Sequence, residues 1–202
     1  MNGAARTSTR DIARAAVRAE LAQVAFDLFA RDGFDNVTVT EVAEAAGVSR
    51  STFLRYFESK EDAVLDALDA QGRAAADALR ARPADEDDWT ALRAALGTFI
   101  EPYTSDPERT AALTRLLRDT PSLRARQLER QHAWRPLLAA ALAERSRART
   151  PRLRDSARAG AALACVNTAL EAWMDGAPEQ DLLALLDEAF AALSVPRRRR
   201  VG

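Results

Sequence analysis

Cysteine occurs once in this chain, at Cys165, so no internal disulfide can form and no cysteine-rich zinc site can be built. Histidine also occurs once, at His132, which leaves little for a Ser–His–Asp or Cys–His pair. No serine lies on a nucleophile-elbow pattern, and there is no glycine-rich phosphate loop. Glu129 and His132 have the Glu-x-x-His spacing of di-iron bundles, but that chemistry needs the pair twice and two further glutamates. The sequence thus argues against an enzyme, and no metal or cofactor is expected. No apolar run approaches the ~18 residues of a membrane span. The first residues lack the apolar segment of a signal peptide, so a cytoplasmic protein away from the membrane is expected.

Aromatic residues make up only 6% and glycines number 8, whereas hydrophobic residues reach 48%, much of it alanine. Alanine and arginine in abundance with few β-branched runs point to an all-α chain. Its 202 residues suffice for one large domain or two small ones. The net charge is −1 and the pI about 6.0, so any affinity for nucleic acid must come from a local patch. Two stretches qualify. Gly47–Lys60 carries Arg50, Arg55 and Lys60 against Glu58, and the leading segment carries Arg6, Arg10, Arg14 and Arg18 against Asp11. Residues 1–10 read as a solvated basic arm, or as an arm adding phosphate or minor-groove contacts.

The most informative stretch runs from Thr38 to Lys60. Thr38 with Glu41 three residues later is a capping box, and Val39, Val42, Ala43 and Ala46 give the ensuing helix one apolar face. Gly47 supplies the positive φ of a tight turn. Ser49 is a second N-cap, and Phe53, Tyr56 and Phe57 anchor one side of the next helix. Arg50, Ser51, Thr52 and Arg55 are left for the other side. Short helix, glycine turn and a second helix with a hydroxyl-rich leading edge is a helix-turn-helix, whose second helix enters the DNA major groove.

Here the chain resembles the TetR family of bacterial transcriptional regulators. The pattern T-V-x-E-V-A-x-x-A-G-V-S-x-x-T-F-x-R-Y-F-x-S-K-E-D spans Thr38 to Asp62, preceded by A-x-x-L-F-x-x-x-G-F from Ala25 to Phe34. The resemblance covers residues 15–75, with the motif at 38–57. It implies an N-terminal three-helix DNA-binding domain followed by a helical dimerisation and ligand-binding domain, here 84–195. It also implies a homodimer on a palindromic operator in double-stranded DNA, with repression relieved by a small-molecule effector. Carried over by position, Arg50, Ser51 and Thr52 face base edges or nearby phosphates. Thr38, Ser49, Arg55, Tyr56 and Lys60 belong to the same surface, with Thr38, Tyr56 and Lys60 on the backbone. The family often has tyrosine where this chain has Leu54, which removes a phosphate-reaching hydroxyl.

About nine helices are expected. The first spans Asp11–Asp32 with a stripe of Val17, Leu21, Val24, Leu28 and Phe29. A fourth starts behind Ser59 and runs from Lys60 to Leu79 past a weak point at Gly72. The acidic stretch Pro83–Asp88 reads as the internal linker. Beyond it come Trp89–Glu101, Pro107–Arg118, Pro121 to about Ser146, Asp155–Asp175 and Pro178–Leu193, with proline, aspartate and threonine marking starts and stops. The last two helices are apolar on more than one side, and so buried on more than one side; the resemblance implies pairing with the same helices of a second chain, the other reading being an intramolecular core. Pro136 should kink its helix and free the carbonyl of His132. Phe99, Tyr103, His132, Trp134, Cys165 and Trp173, with Trp89, are the candidate pocket residues. An alternative reading is a helical dimerisation module without specific DNA binding.

Overall fold

The computed structural model describes residues 9–176 and 180–194; within these, the side chains of Asp11, 67–70, 101–105 and Pro107 are also left out. The described residues form eleven helices and no strand: α1 Thr9–Asp32, α2 Val39–Ala45, α3 Arg50–Tyr56, α4 Lys60–Val64, α5 Asp66–Ala81, α6 Asp88–Ser105, α7 Pro107–Asp119, α8 Pro121–His132, α9 Trp134–Arg145, α10 Leu153–Gly176 and α11 Leu182–Ala192. Two expected helices are each divided in two. The Lys60–Leu79 helix breaks at Leu65, whose backbone sits at φ −97°, ψ 13°. The helix after Pro121 breaks at Ala133, three residues ahead of Pro136. That displacement lets Pro136 fall in the first turn of α9, where a missing N–H costs nothing.

The chain folds as two compact units. The first comprises residues 1–67 together with 115–126, the second 68–114 together with 127–202. In the first unit α1 packs on α2 and α4, and α2 on α3. The buried face of α1 is Leu21, Ala25, Phe26 and Phe29, while Val17, expected in the stripe, is 41% exposed. The C-terminal part of α7 and the start of α8 complete this unit, burying Leu116, Leu117 and Leu123.

In the second unit α10 is central and packs against α9, α11 and α6. Its core holds Leu92, Leu96, Phe99, Ile100, Trp134, Leu138, Leu142, Val166 and Leu186. The acidic stretch 83–88 is part of this unit rather than a connection between units. The Arg145 guanidinium donates to the carbonyls of Leu79, Arg82, Pro83 and Glu86 at 2.8–3.3 Å, and Asp87 caps α6. One arginine thereby ties the turn together, the Leu79 and Pro83 carbonyls also accepting from the Arg82 and Glu86 N–H groups. α6 extends to Ser105, four residues past its expected stop at Glu101. A proline removes one donor; the burial of Leu92, Leu96, Phe99 and Ile100 sustains the helix around it. α11 starts at Leu182 behind the N-cap Asp181, later than expected, and Pro178 and Glu179 lie outside the described residues.

Candidate nucleic-acid interface

The caps read from the sequence are formed. Thr38 accepts from the Glu41 N–H at 3.2 Å, and the Glu41 carboxylate accepts from the Thr38 N–H at 2.7 Å and its hydroxyl at 2.8 Å. These bonds hold the Glu41 carboxyl below the usual carboxylate range, the backbone bond from Thr38 first among them. The Thr38 hydroxyl proton is therefore engaged within the cap. Gly47 turns the chain at φ +68° with open space where a side chain would be. The second cap is a cluster of hydroxyls. Ser49 Oγ lies 2.9 Å from both Ser51 Oγ and Thr52 Oγ1, and accepts from the Thr52 N–H at 3.1 Å.

What holds α3 in place is aromatic. Phe53 and Phe57 are 0% and 1% exposed, with ring centroids 5.3 Å apart. Burial of each stabilises by about 1.5–3 kcal/mol, more than the ~1 kcal/mol of an N-cap. The aromatic pair thus fixes the helix against the unit, and Ser49 fixes where it begins. Opposite the anchors, Arg50, Ser51 and Arg55 are exposed and Thr52, Leu54 and Tyr56 half-buried.

Two cations expected at this surface turn inward. Arg18 donates to the Tyr56 carbonyl and pairs with Asp66, its guanidinium 4.6 Å from the Phe57 ring centroid. It closes the C-terminus of α3, whose last carbonyls favour a cation. Lys60 Nζ donates to the carbonyls of Phe34 at 2.7 Å and Val37 at 2.9 Å, 4.4 Å from the Phe34 ring centroid. Its ammonium holds the loop that leads into Thr38. Sequence reasoning missed both roles, because their partners lie 23 to 48 positions away.

α1 extends this surface. Arg10, Ala13, Arg14 and Val17 of α1, with Arg55 and Tyr56 of α3, line a groove of about 530 Å³. The arginine-rich start of the chain is thus helical from Thr9, and places Arg10 and Arg14 beside α3. Arg6 lies outside the described residues.

Phe99 and Trp134 meet edge to face, centroids 4.9 Å apart, both buried. His132 is exposed and Trp173 half-buried. Cys165 is buried, its thiol bonded to the Ala189 carbonyl and pushed up in pKa by burial, which makes it a packed rather than reactive group. Trp89 stacks on Phe190 and donates from Nε1 to its carbonyl at 3.0 Å. The Tyr103 side chain lies outside the described residues.

A capped helix-turn-helix presenting arginine and hydroxyls beside a basic groove, joined to a separate helical unit, defines a DNA-binding regulator. Residues 21–67 match the profile of bacterial regulatory proteins of the tetR family, and residues 86–197 that of the MftR C-terminal domain. The chain is 31% identical over 175 residues to the protein named as mycofactocin biosynthesis transcriptional regulator MftR of Mycobacterium tuberculosis, covering 85% of this chain and 84% of that one. It is 35% identical to the HTH-type transcriptional regulator TcmR of Streptomyces glaucescens over 63% of this chain; the match spans 59% of TcmR. A solved structure of Thermus thermophilus FadR, a TetR-family repressor in complex with lauroyl-CoA, shares the fold: TM-score 0.59 and 21% identity over 92% of this chain and 99% of that one. The chain belongs to the TetR family, and is a DNA-binding transcriptional regulator.

Proposed function

We propose that the protein binds a palindromic operator as a homodimer and represses until a small-molecule effector releases it. The observation that carries this reading is the start of α3. Arg50 and Ser51 stand exposed beside the Ser49–Thr52 hydroxyl cluster, on a helix anchored from behind by Phe53 and Phe57. In the proposed complex Arg50 reads guanine O6 and N7, and Ser51 and Thr52 meet nearby edges or phosphates. Ser49, Arg55 and Tyr56 meet the backbone, continued by Arg10 and Arg14 along the groove. Thr38 joins them by redirecting its hydroxyl from Glu41, and Lys60 serves the same surface by holding the Phe34–Val37 loop.

Dimerisation is supported by apolar surface on the last two helices. Leu153 is 87% and Leu193 55% exposed, Ala157, Ala164 and Ala172 are exposed along α10, and Leu183 and Leu185 are half-buried on α11. A two-fold pairing matches half-sites one DNA turn or a multiple apart. The action belongs to the cytoplasm; among the described residues no helix is long and apolar enough to cross a membrane. Because a repressor of the same fold was solved with lauroyl-CoA, acyl-CoA thioesters are the first effectors to screen.

The test is fluorescence anisotropy on DNA from upstream of the gene, with scrambled competitor at two salt concentrations. Competitor-resistant, salt-weakened binding is expected. Arg50→Ala should lose about 1–3 kcal/mol on the operator and discriminate less between operator and scrambled DNA. Unchanged selectivity in that variant would remove Arg50 as a base reader.

A further inference from the structure

Three uncharged side chains of the second unit carry buried polar atoms with no hydrogen-bond partner among the described residues. They are Gln131 through both Oε1 and Nε2, Trp134 through Nε1, and Gln71 through Oε1. Gln131 is 1% and Trp134 2% exposed. Gln71 and Gln131 each adjoin the place where Trp134 meets α5. A Cβ at Gly72, next to Gln71, would lie 2.4 Å from Cδ1 of the Trp134 indole, so α5 and α9 touch there. Gln131 stands three positions before Trp134, at the end of α8, and the Ala133 backbone between them keeps near-helical angles. Buried polar groups are nearly always satisfied, and each left without a partner is costly. Four such atoms, on Trp134 and on two residues close to it along α5 and α8, point to a site built for something else to bond.

We infer that Gln71, Gln131 and Trp134 form the polar end of the effector site, and that it takes a ligand with an uncharged group that both donates and accepts, such as a carboxamide or lactam, on an apolar body. The inference rests on the ligand-responsive reading above. The chemistry follows from the atoms. The indole N–H and the Gln131 amide N–H donate, whereas the two glutamine oxygens accept, and none of the four carries a charge. A donor-only or acceptor-only head would leave half of them unbonded. An ion would lose its hydration without gaining a counter-charge from these three side chains. The Phe99–Trp134 pair, edge to face with centroids 4.9 Å apart, supplies the apolar wall.

The test uses the full chain and three probes of equal chain length: octanamide, octanoate and octylamine. Calorimetry and thermal melting read binding, and anisotropy on the operator reads release. Octanamide should bind at least tenfold more tightly than either ion. Gln131→Met and Trp134→Phe, which remove the polar atoms and keep an apolar side chain, should each abolish that preference while binding the operator normally without probe. Equal affinity for all three heads overturns the inference, as does full octanamide binding in both variants. So does no octanamide binding at millimolar concentration, the polar atoms then serving water alone. If lauroyl-CoA releases the operator from both variants as from the parent, the ligand-responsive reading stands and this assignment falls. If no probe or thioester affects operator binding, it is the broader reading that falls.

Discussion

Lys60 is the single lysine of the chain, and its surroundings explain why arginine does not stand there. A compact ammonium can meet the Phe34 and Val37 carbonyls and the face of the Phe34 ring at once. A planar guanidinium presents its donors in a fixed fork and would need a wider space. Charge-assisted bonds of this kind contribute about 1.5–3 kcal/mol. Lys60→Met keeps the aliphatic stem and loses them, so the melting temperature should fall by roughly 4–10 °C. The slope of log affinity for DNA against log salt should stay where it is. A slope smaller by ~0.9 would instead show that Lys60 neutralises a phosphate.

Between elements, α5 meets α9 where Gly72 faces the Trp134 indole. Gly72 looks like a weak point in a helix when read alone, since glycine costs ~1 kcal/mol relative to alanine there. The structure gives its reason: the Trp134 ring occupies the space of its missing side chain. The indole is rigid and buried, and cannot yield as a flexible side-chain end would. Gly72→Ala should therefore be a net loss of up to ~2 kcal/mol, overpacking outweighing the gain in helix propensity. Trp134→Phe, which shortens the ring system, should recover part of that loss in the double variant. Thermal melting of the two single variants and the double closes the cycle; simple additivity would mean that the two sites do not meet.

At the scale of the molecule, the DNA-binding unit is not a continuous stretch. Residues 115–126 belong to it, and Arg126 lies 3.4 Å from the buried carboxylate of Asp62, with Ser122 bonded to Glu61. A fragment of residues 1–67 would leave Asp62 without that ion pair and uncover the surface that Leu116, Leu117 and Leu123 help to bury. Its melting temperature should drop well below that of the intact chain, with reduced helicity by circular dichroism. A fragment that melts as the full chain does would show residues 1–67 to be self-sufficient. α8 itself has its first turns in one unit and Gln131 near its end in the other, so a ligand bonded at Gln131 acts on the helix that also bears Arg126. The chain passes from one unit to the other both at the start of α5 and within α8.

By itself the sequence determined what depends on neighbours within a turn. The Thr38–Glu41 box, the Gly47 turn, the Ser49 cap and the Phe53–Phe57 anchor all arise from groups a few positions apart. Such bonds need only local geometry, which is why the motif and the all-helical class were legible. The interruption ahead of Pro136 was legible too, although Ala133 and not the proline is where the helix parts. Only the tertiary structure decided where long side chains end. Arg18, Lys60 and Arg145 are arginine and lysine like any others in the sequence, yet each is fixed by carbonyls 23 to 66 positions away. The same holds for Gln131, polar in a helix yet 1% exposed, which no periodicity announces. A long polar side chain can reach several surroundings from one backbone position, and packing selects among them.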